Sequence, residues 1–208
     1  LQCSCPVTSE ARIEVHHRIW RRLVDLIKEH TEAPDYVLLM EKSIRGMAKT
    51  ARHWNAEEGA QGRWYTAMRT LARTLEAPHQ PGLSTSRWTE HRIRVLRQRS
   101  DGLFLHWNER RFYILEFTRT YDSDAQSLVR ADNRKRKKYT RLCRYYQAVL
   151  PGWQGSVLPF TVGVRGSLGW INFCNNLRAL AVPTREHQRI AKAVITTTLE
   201  GLERMFSV

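Results

Sequence analysis

The chain has 208 residues, 42% of them hydrophobic, and carries 34 Lys and Arg against 20 acidic residues for a formal net charge of +14. That length suits one domain with a sizeable core, and that apolar share excludes wholesale disorder. No apolar run approaches the ~18 residues that would span a bilayer, no secretory signal is visible, and the charge points to a polyanionic partner.

The chain begins with Leu1, so we expect a processed protein or a piece of a longer one. Residues 10–30 read as an amphipathic helix, with Ile13, Trp20, Leu23, Val24 and Ile27 on one face and Ser9 as its N-cap. Pro34 ends it. Tyr36 to Met40 is a short apolar run of the kind found in buried strands, with Glu41 directly after it. Residues 45–76 are helical in character, and Pro78, Pro81, Gly82 and Ser84 mark a loop, so 45–85 reads as a helical insertion beside the core. Strands are predicted at 92–97, 102–107 and 112–118, the last two joined by the polar turn Asn108 to Arg111. Tyr121 to Asp124 supply turn and cap residues for a long helix over about 124–150, stopped by Pro151-Gly152. Residues 157–164 form a further strand, whose Pro159 argues for an edge or a bulge. Pro183-Thr184 opens a last helix with a stripe of Ile190, Val194, Leu199, Leu202 and Phe206. The order indicates one α/β domain, residues 1–208, around a central mixed sheet flanked by helices.

The positive charge is concentrated. Arg130, Arg134, Lys135, Arg136, Lys137, Lys138, Arg141 and Arg144 face only Asp132 within residues 130–144, and Arg87, Arg92, Arg94, Arg97 and Arg99 face only Glu90 within 87–99. Two such clusters point to nucleic acid; the plain alternative is a solvated helix face or a nuclear-localisation run. Trp54, Trp64 and Trp88 fall in less patterned sequence, where aromatics either stack on bases or fill a core. The four cysteines, Cys3, Cys5, Cys143 and Cys174, form no secreted disulfide framework. Cys3 and Cys5 are one residue apart, which is not the spacing of an intact zinc finger.

Asp101 and Glu116 stand on consecutive predicted strands with 14 residues between them. If the strands pair, a carboxylate at the start of one approaches a carboxylate near the end of the other. Two converging acids in a basic chain suit Mg2+ or Mn2+; the alternative is two unrelated carboxylates flanking a hairpin.

Taken in order, Arg99-Ser100-Asp101, Glu116 and the Lys135 to Tyr139 stretch, a Lys-x-x-Lys-Tyr, resemble the core of the PD-(D/E)XK nucleases. More narrowly, they resemble the restriction-like endonuclease domain of site-specific non-LTR retrotransposons. His16-His17-Arg18 and Glu41 also sit where that family has a His-containing helix and a further acid. The resemblance covers about residues 10–165 and rests on order and spacing. It implies a restriction-endonuclease-like fold and a Mg2+-dependent DNA endonuclease that nicks target DNA for insertion. It further implies a nuclear protein, joined covalently to a reverse transcriptase in a larger polyprotein. Residues 1–9, with Cys3 and Cys5, would then be the tail of a Cys/His knuckle.

Under this resemblance Asp101, Glu116 and the main-chain carbonyl of Phe117 hold the metal. Lys138, then Lys135, orients water or stabilises the phosphate, and Glu41 is a further acid or simply a salt-bridged carboxylate. Arg99, Arg134, Lys135, Arg136, Lys137, Tyr139, Arg141 and Arg144 contact DNA. Two departures matter. Ser100 replaces a proline that shapes the turn, and Thr118 stands where the superfamily has a lysine two residues after the second acid. Lys138 is the expected replacement, with Arg119 as a stabiliser of charge rather than a base. If neither serves, the domain is a nucleic-acid-binding module without hydrolysis. A junction or repair nuclease of the same superfamily is a third reading.

Overall fold

The computed structural model describes residues 6–40, 42–50, 59–76, 85–124 and 126–206. Seven helices and four strands follow one another among them. In chain order they are α1 (Pro6–His30), β1 (Tyr36–Met40), α2 (Ile44–Thr50), α3 (Gly59–Glu76), α4 (Thr85–Arg97), β2 (Gly102–His106), β3 (Arg111–Thr120), α5 (Ser127–Val149), β4 (Gln154–Gly163), α6 (Trp170–Ala179) and α7 (Thr184–Phe206). This is an α/β chain with one open, mixed four-stranded sheet flanked by helices.

The strands lie in the order β1-β2-β3-β4. β1 pairs with β2, and β2 with β3, antiparallel. β4 runs parallel to β3: the Gln154 N–H reaches the Arg110 carbonyl at one end, and the Val164 N–H reaches the Thr120 carbonyl at the other, at the same sequence offset. Helix α5 makes the crossover that a parallel pair requires. Pro159 therefore lies on an edge strand, as its missing N–H predicts.

The chain divides into two compact units. One comprises residues 1–34, 117–135 and 159–208, the other 35–116 and 136–158, so the chain passes between them after Pro34 and again within β3, α5 and β4. In the second unit, Leu39, Leu103, Leu105, Phe112 and Ile114 form one face of the sheet, and α3 and α5 bring Trp64, Met68, Tyr139, Leu142 and Tyr146 into the same core. The strand register explains that face, since Leu39 pairs with Leu103, Leu103 with Ile114 and Leu105 with Phe112. The rings of Trp64 and Phe112 meet Tyr146 edge-on at 5.3 and 5.6 Å. Gly155 is obligatory here, because a Cβ on it would lie 2.1 Å from the Phe112 ring. Trp64 is fully buried, a core residue rather than a base-stacking one; Trp54 lies outside the described residues.

In the first unit, Ile19, Trp20, Leu23 and Ile27 of α1, Phe160 and Val162 of β4, Phe173 and Leu177 of α6, and Ile190 and Val194 of α7 are buried. The entry to α5 is held by its acids. The Asp124 carboxylate accepts the Gln126 N–H at 2.8 Å and pairs with Arg130 at 2.5 Å, an Asx turn leading into the helix.

Two expectations are corrected, and one helix is additional. Residues 92–97 are not a strand but the end of α4. Ile93 and Val95 alternate like strand residues, yet Val95 and Leu96 are both buried while Arg94 and Arg97 are exposed, a one-sided pattern only a helix provides. Ser9 is not the N-cap of α1, which begins at Pro6, a residue suited to a first helical position. Helix α6 was not expected; Phe173, Cys174, Asn176 and Leu177 form its buried face.

Candidate active site

The β2–β3 hairpin fixes the two acids. Gly102 pairs with Leu115, so the next position in the antiparallel ladder sets Asp101 across from Glu116. Directly opposed residues project to the same face, and this is the face formed by Leu103, Leu105, Phe112 and Ile114. Asp101 is half-buried and Glu116 has no exposed surface. The Asp101 N–H donates to the Glu116 carboxylate at 3.1 Å. A buried carboxylate is costly unless bonded or neutralised, so this bond and its surroundings are what keep Glu116 in place.

Helix α5 brings Tyr139 and Lys138 to the same spot. Tyr139 is buried, and its hydroxyl donates to the Arg99 carbonyl at 2.8 Å. The Lys138 ammonium donates to the Tyr139 hydroxyl at 2.9 Å and lies 4.6 Å from the centre of its ring. Burial, then the negative charges of Glu116 and Asp101, push the Tyr139 phenol above its ordinary value, so it remains protonated. Tyr139 is thus a fixed neutral hydroxyl beside two acids, with a lysine ammonium on its other side. The amide of Gln98 donates to the Lys138 carbonyl at 3.2 Å. Residues 98 and 99, which follow α4 directly, are therefore both bonded to α5.

The expected site residues separate into groups. Asp101, Glu116, Tyr139, Lys138 and the backbone of Arg99 come together. Glu41 lies outside the described residues, as do Cys3 and Cys5. The Phe117 ring is buried against His16 at 5.2 Å and Trp20 at 6.2 Å between centroids. Lys135 is half-buried. Arg136 donates to the Val157 carbonyl at 2.7 Å and so ties α5 to β4. Arg134, Lys137, Arg141 and Arg144 are exposed on α5.

Thr118 is two positions beyond Glu116, and its hydroxyl is buried with no hydrogen-bond partner among the described residues. Arg119 is three positions beyond, and strand alternation turns it to the opposite face. Its Nε and Nη2 are buried without partners among the described residues, and burial followed by the charge of Arg12 lowers its pKa. Arg119 is therefore not grouped with the acids.

Asp101 and Glu116 are hard oxygen donors, one sealed in the core and one reaching solvent. That pair fits Mg2+, which is commonly held by one or two carboxylates, substrate oxygens and retained water. Among the described residues no group of three or more His, Cys, Asp and Glu side chains is placed to hold a metal. No helix among them is long and apolar enough to cross a membrane.

Sequence reasoning missed the role of Gln98, and it assigned Arg94 and Arg97 to a strand. The signal for the latter was the Arg cluster itself, which has the spacing of a helix face. No family model matches this chain, and neither does any curated protein or solved structure with which it was compared.

Proposed function

We propose that this protein is a Mg2+-dependent DNA endonuclease with a restriction-endonuclease-like core. The observation that carries the reading is the opposition of Asp101 and Glu116 across β2 and β3, with Lys138 joined to the same cluster through Tyr139. Asp101 and Glu116, with the Phe117 carbonyl, would hold the cation. When bound, the ion supplies charge for the phosphate and lowers the pKa of a coordinated water.

The chain's own residues do the rest. Tyr139 anchors Lys138 at one remove from the acids, so a cationic ammonium stands where charge develops on a phosphate oxygen. Being protonated, Tyr139 positions Lys138 without adding negative charge. The Asp101–Glu116 backbone bond keeps the second carboxylate from turning away from the first. Exposed Arg134, Lys137, Arg141 and Arg144 contact backbone phosphates. The biological setting we propose is nicking of target DNA in the nucleus, by a domain of a reverse-transcriptase polyprotein.

Plasmid nicking with Mg2+ or Mn2+ tests the activity, and duplex, branched and single-stranded substrates test the class. Preference for branched DNA would favour a junction or repair nuclease. A second reading, a DNA-binding module without hydrolysis, rests on Thr118, which cannot supply the charge of a lysine. DNA binding with no nicking under either metal would select it.

A further inference from the structure

Beside Lys138, helices α4 and α5 enclose an open groove of about 870 Å³. Arg94, Arg97 and Arg99 line one side; Lys137, Lys138 and Arg141 line the other. Glu90 is the acid among the lining residues. Both walls are pinned together at one end, where Gln98 bonds the Lys138 carbonyl and the Tyr139 hydroxyl bonds the Arg99 carbonyl. That pinned end is also where Asp101 and Glu116 stand.

The lining has a specific character. It contains no aromatic ring, and its one amide, Gln98, already donates to backbone. Besides its cations the lining holds the apolar Ile93 and Val95 and no surface on which a base could stack, and phosphate oxygens are the commonest partners of Arg and Lys on DNA. The volume is that of a small-molecule pocket, enough for a few nucleotides of one strand and far too little for a duplex.

We infer that the α4–α5 groove holds the backbone of one DNA strand flanking the cleaved bond, through its phosphates alone, with Arg94 and Arg97 of α4 as anchors. This rests on the nuclease reading and extends it. The strand is tracked without regard to sequence and delivered to Asp101 and Glu116 at the groove's pinned end. Selection of a target sequence is then made elsewhere.

The test measures DNA binding without divalent cation, so it does not depend on cleavage. Fluorescence anisotropy of a 30-bp duplex (a length we choose for the assay, about three helical turns) and of a scrambled duplex is recorded across KCl concentrations. It is done for the wild type, for Arg94→Ala/Arg97→Ala, and for Arg73→Ala/Lys192→Ala, which removes the same charge from exposed positions outside the groove. Each lost phosphate contact lowers the slope of log K against log salt by about 0.9. The groove double variant should therefore lose a slope of about 2 and roughly tenfold or more in affinity, equally on both duplexes. The control pair should change the slope by less than half as much. An unchanged slope in Arg94→Ala/Arg97→Ala overturns the inference while leaving the nuclease reading intact. A loss confined to one duplex also overturns it, because the groove would then read sequence. No binding by the wild type would end both.

Discussion

The Tyr139 hydroxyl and the Arg99 carbonyl are joined by a hydrogen bond of 2.8 Å, two residues before Asp101. One helix side chain thereby sets the start of β2 and, with it, the first carboxylate of the site. Seven residues on, Tyr146 is also buried on α5, but its hydroxyl has no hydrogen-bond partner among the described residues. The two tyrosines thus allow a paired comparison. Tyr139→Phe should cost about 1–2 kcal/mol, because it leaves a partly buried carbonyl without its donor and frees Lys138, and should also slow cleavage. Tyr146→Phe should be neutral or slightly stabilising, since it removes a buried polar group that gains nothing. Urea unfolding of both variants checks the difference; an equal loss in the two would contradict it.

Asp101→Ala and Glu116→Ala should each abolish nicking while leaving DNA affinity unchanged or higher, because a carboxylate beside phosphates repels them. A second readout is independent of activity. Mg2+ should raise the Tm of the wild type, as any ligand bound only by the folded state does. It should not raise that of either variant. Full nicking by either variant at saturating Mg2+ would remove the pair from the active site.

Lys138 and Lys137 are adjacent and both exposed, but only Lys138 is bonded to Tyr139. Lys138→Ala should lower the single-turnover cleavage rate by about 100-fold, the scale of losing one charge-stabilising donor, with little change in Kd. Lys137→Ala should do the reverse, weakening binding modestly and sparing the rate at saturating DNA. Equal small losses in both would make Lys138 an ordinary phosphate anchor.

Burial pushes the Cys143 thiol up to about 11 from an ordinary value of 9.0. The folded state therefore holds its proton to higher pH than the unfolded chain does. Stability from this group is complete below pH 9 and is lost as pH rises toward and through 11, by about 2 kcal/mol at pH 11. Denaturation midpoints measured from pH 8 to 11 should fall less steeply in Cys143→Val than in the wild type. Alkylation of Cys143 at pH 8 should be slow, since the thiolate is the reactive form.

Much of this arrangement is legible in the sequence because it depends on local rules. The four-residue turn Trp107 to Arg110, between the paired His106 and Arg111, sets the hairpin length, and hairpin length sets which residue faces Glu116. Asp124 holds the turn that leads into α5, and Pro151-Gly152, with the glycine at φ 78°, follows its end. Pro159 indicates an edge strand. What local rules do not carry is packing between distant segments. Arg92 to Arg97 suit a strand by alternation and a helix by propensity, and burial of Val95 with Leu96 decides between them. The link from Lys138 through Tyr139 to Arg99 spans 40 residues, and no spacing rule shows that Tyr139 stands beside the acids.

Pro159 has a consequence beyond placing β4 at the edge. It offers no N–H outward, and its carbonyl is already taken by the Asn176 side chain at 2.6 Å. At the middle of β4, then, the sheet's margin has neither a donor nor an acceptor left for a visiting strand. A strand laid alongside β4 would meet no donor at Pro159 and a carbonyl already engaged, so its ladder would be interrupted at that position.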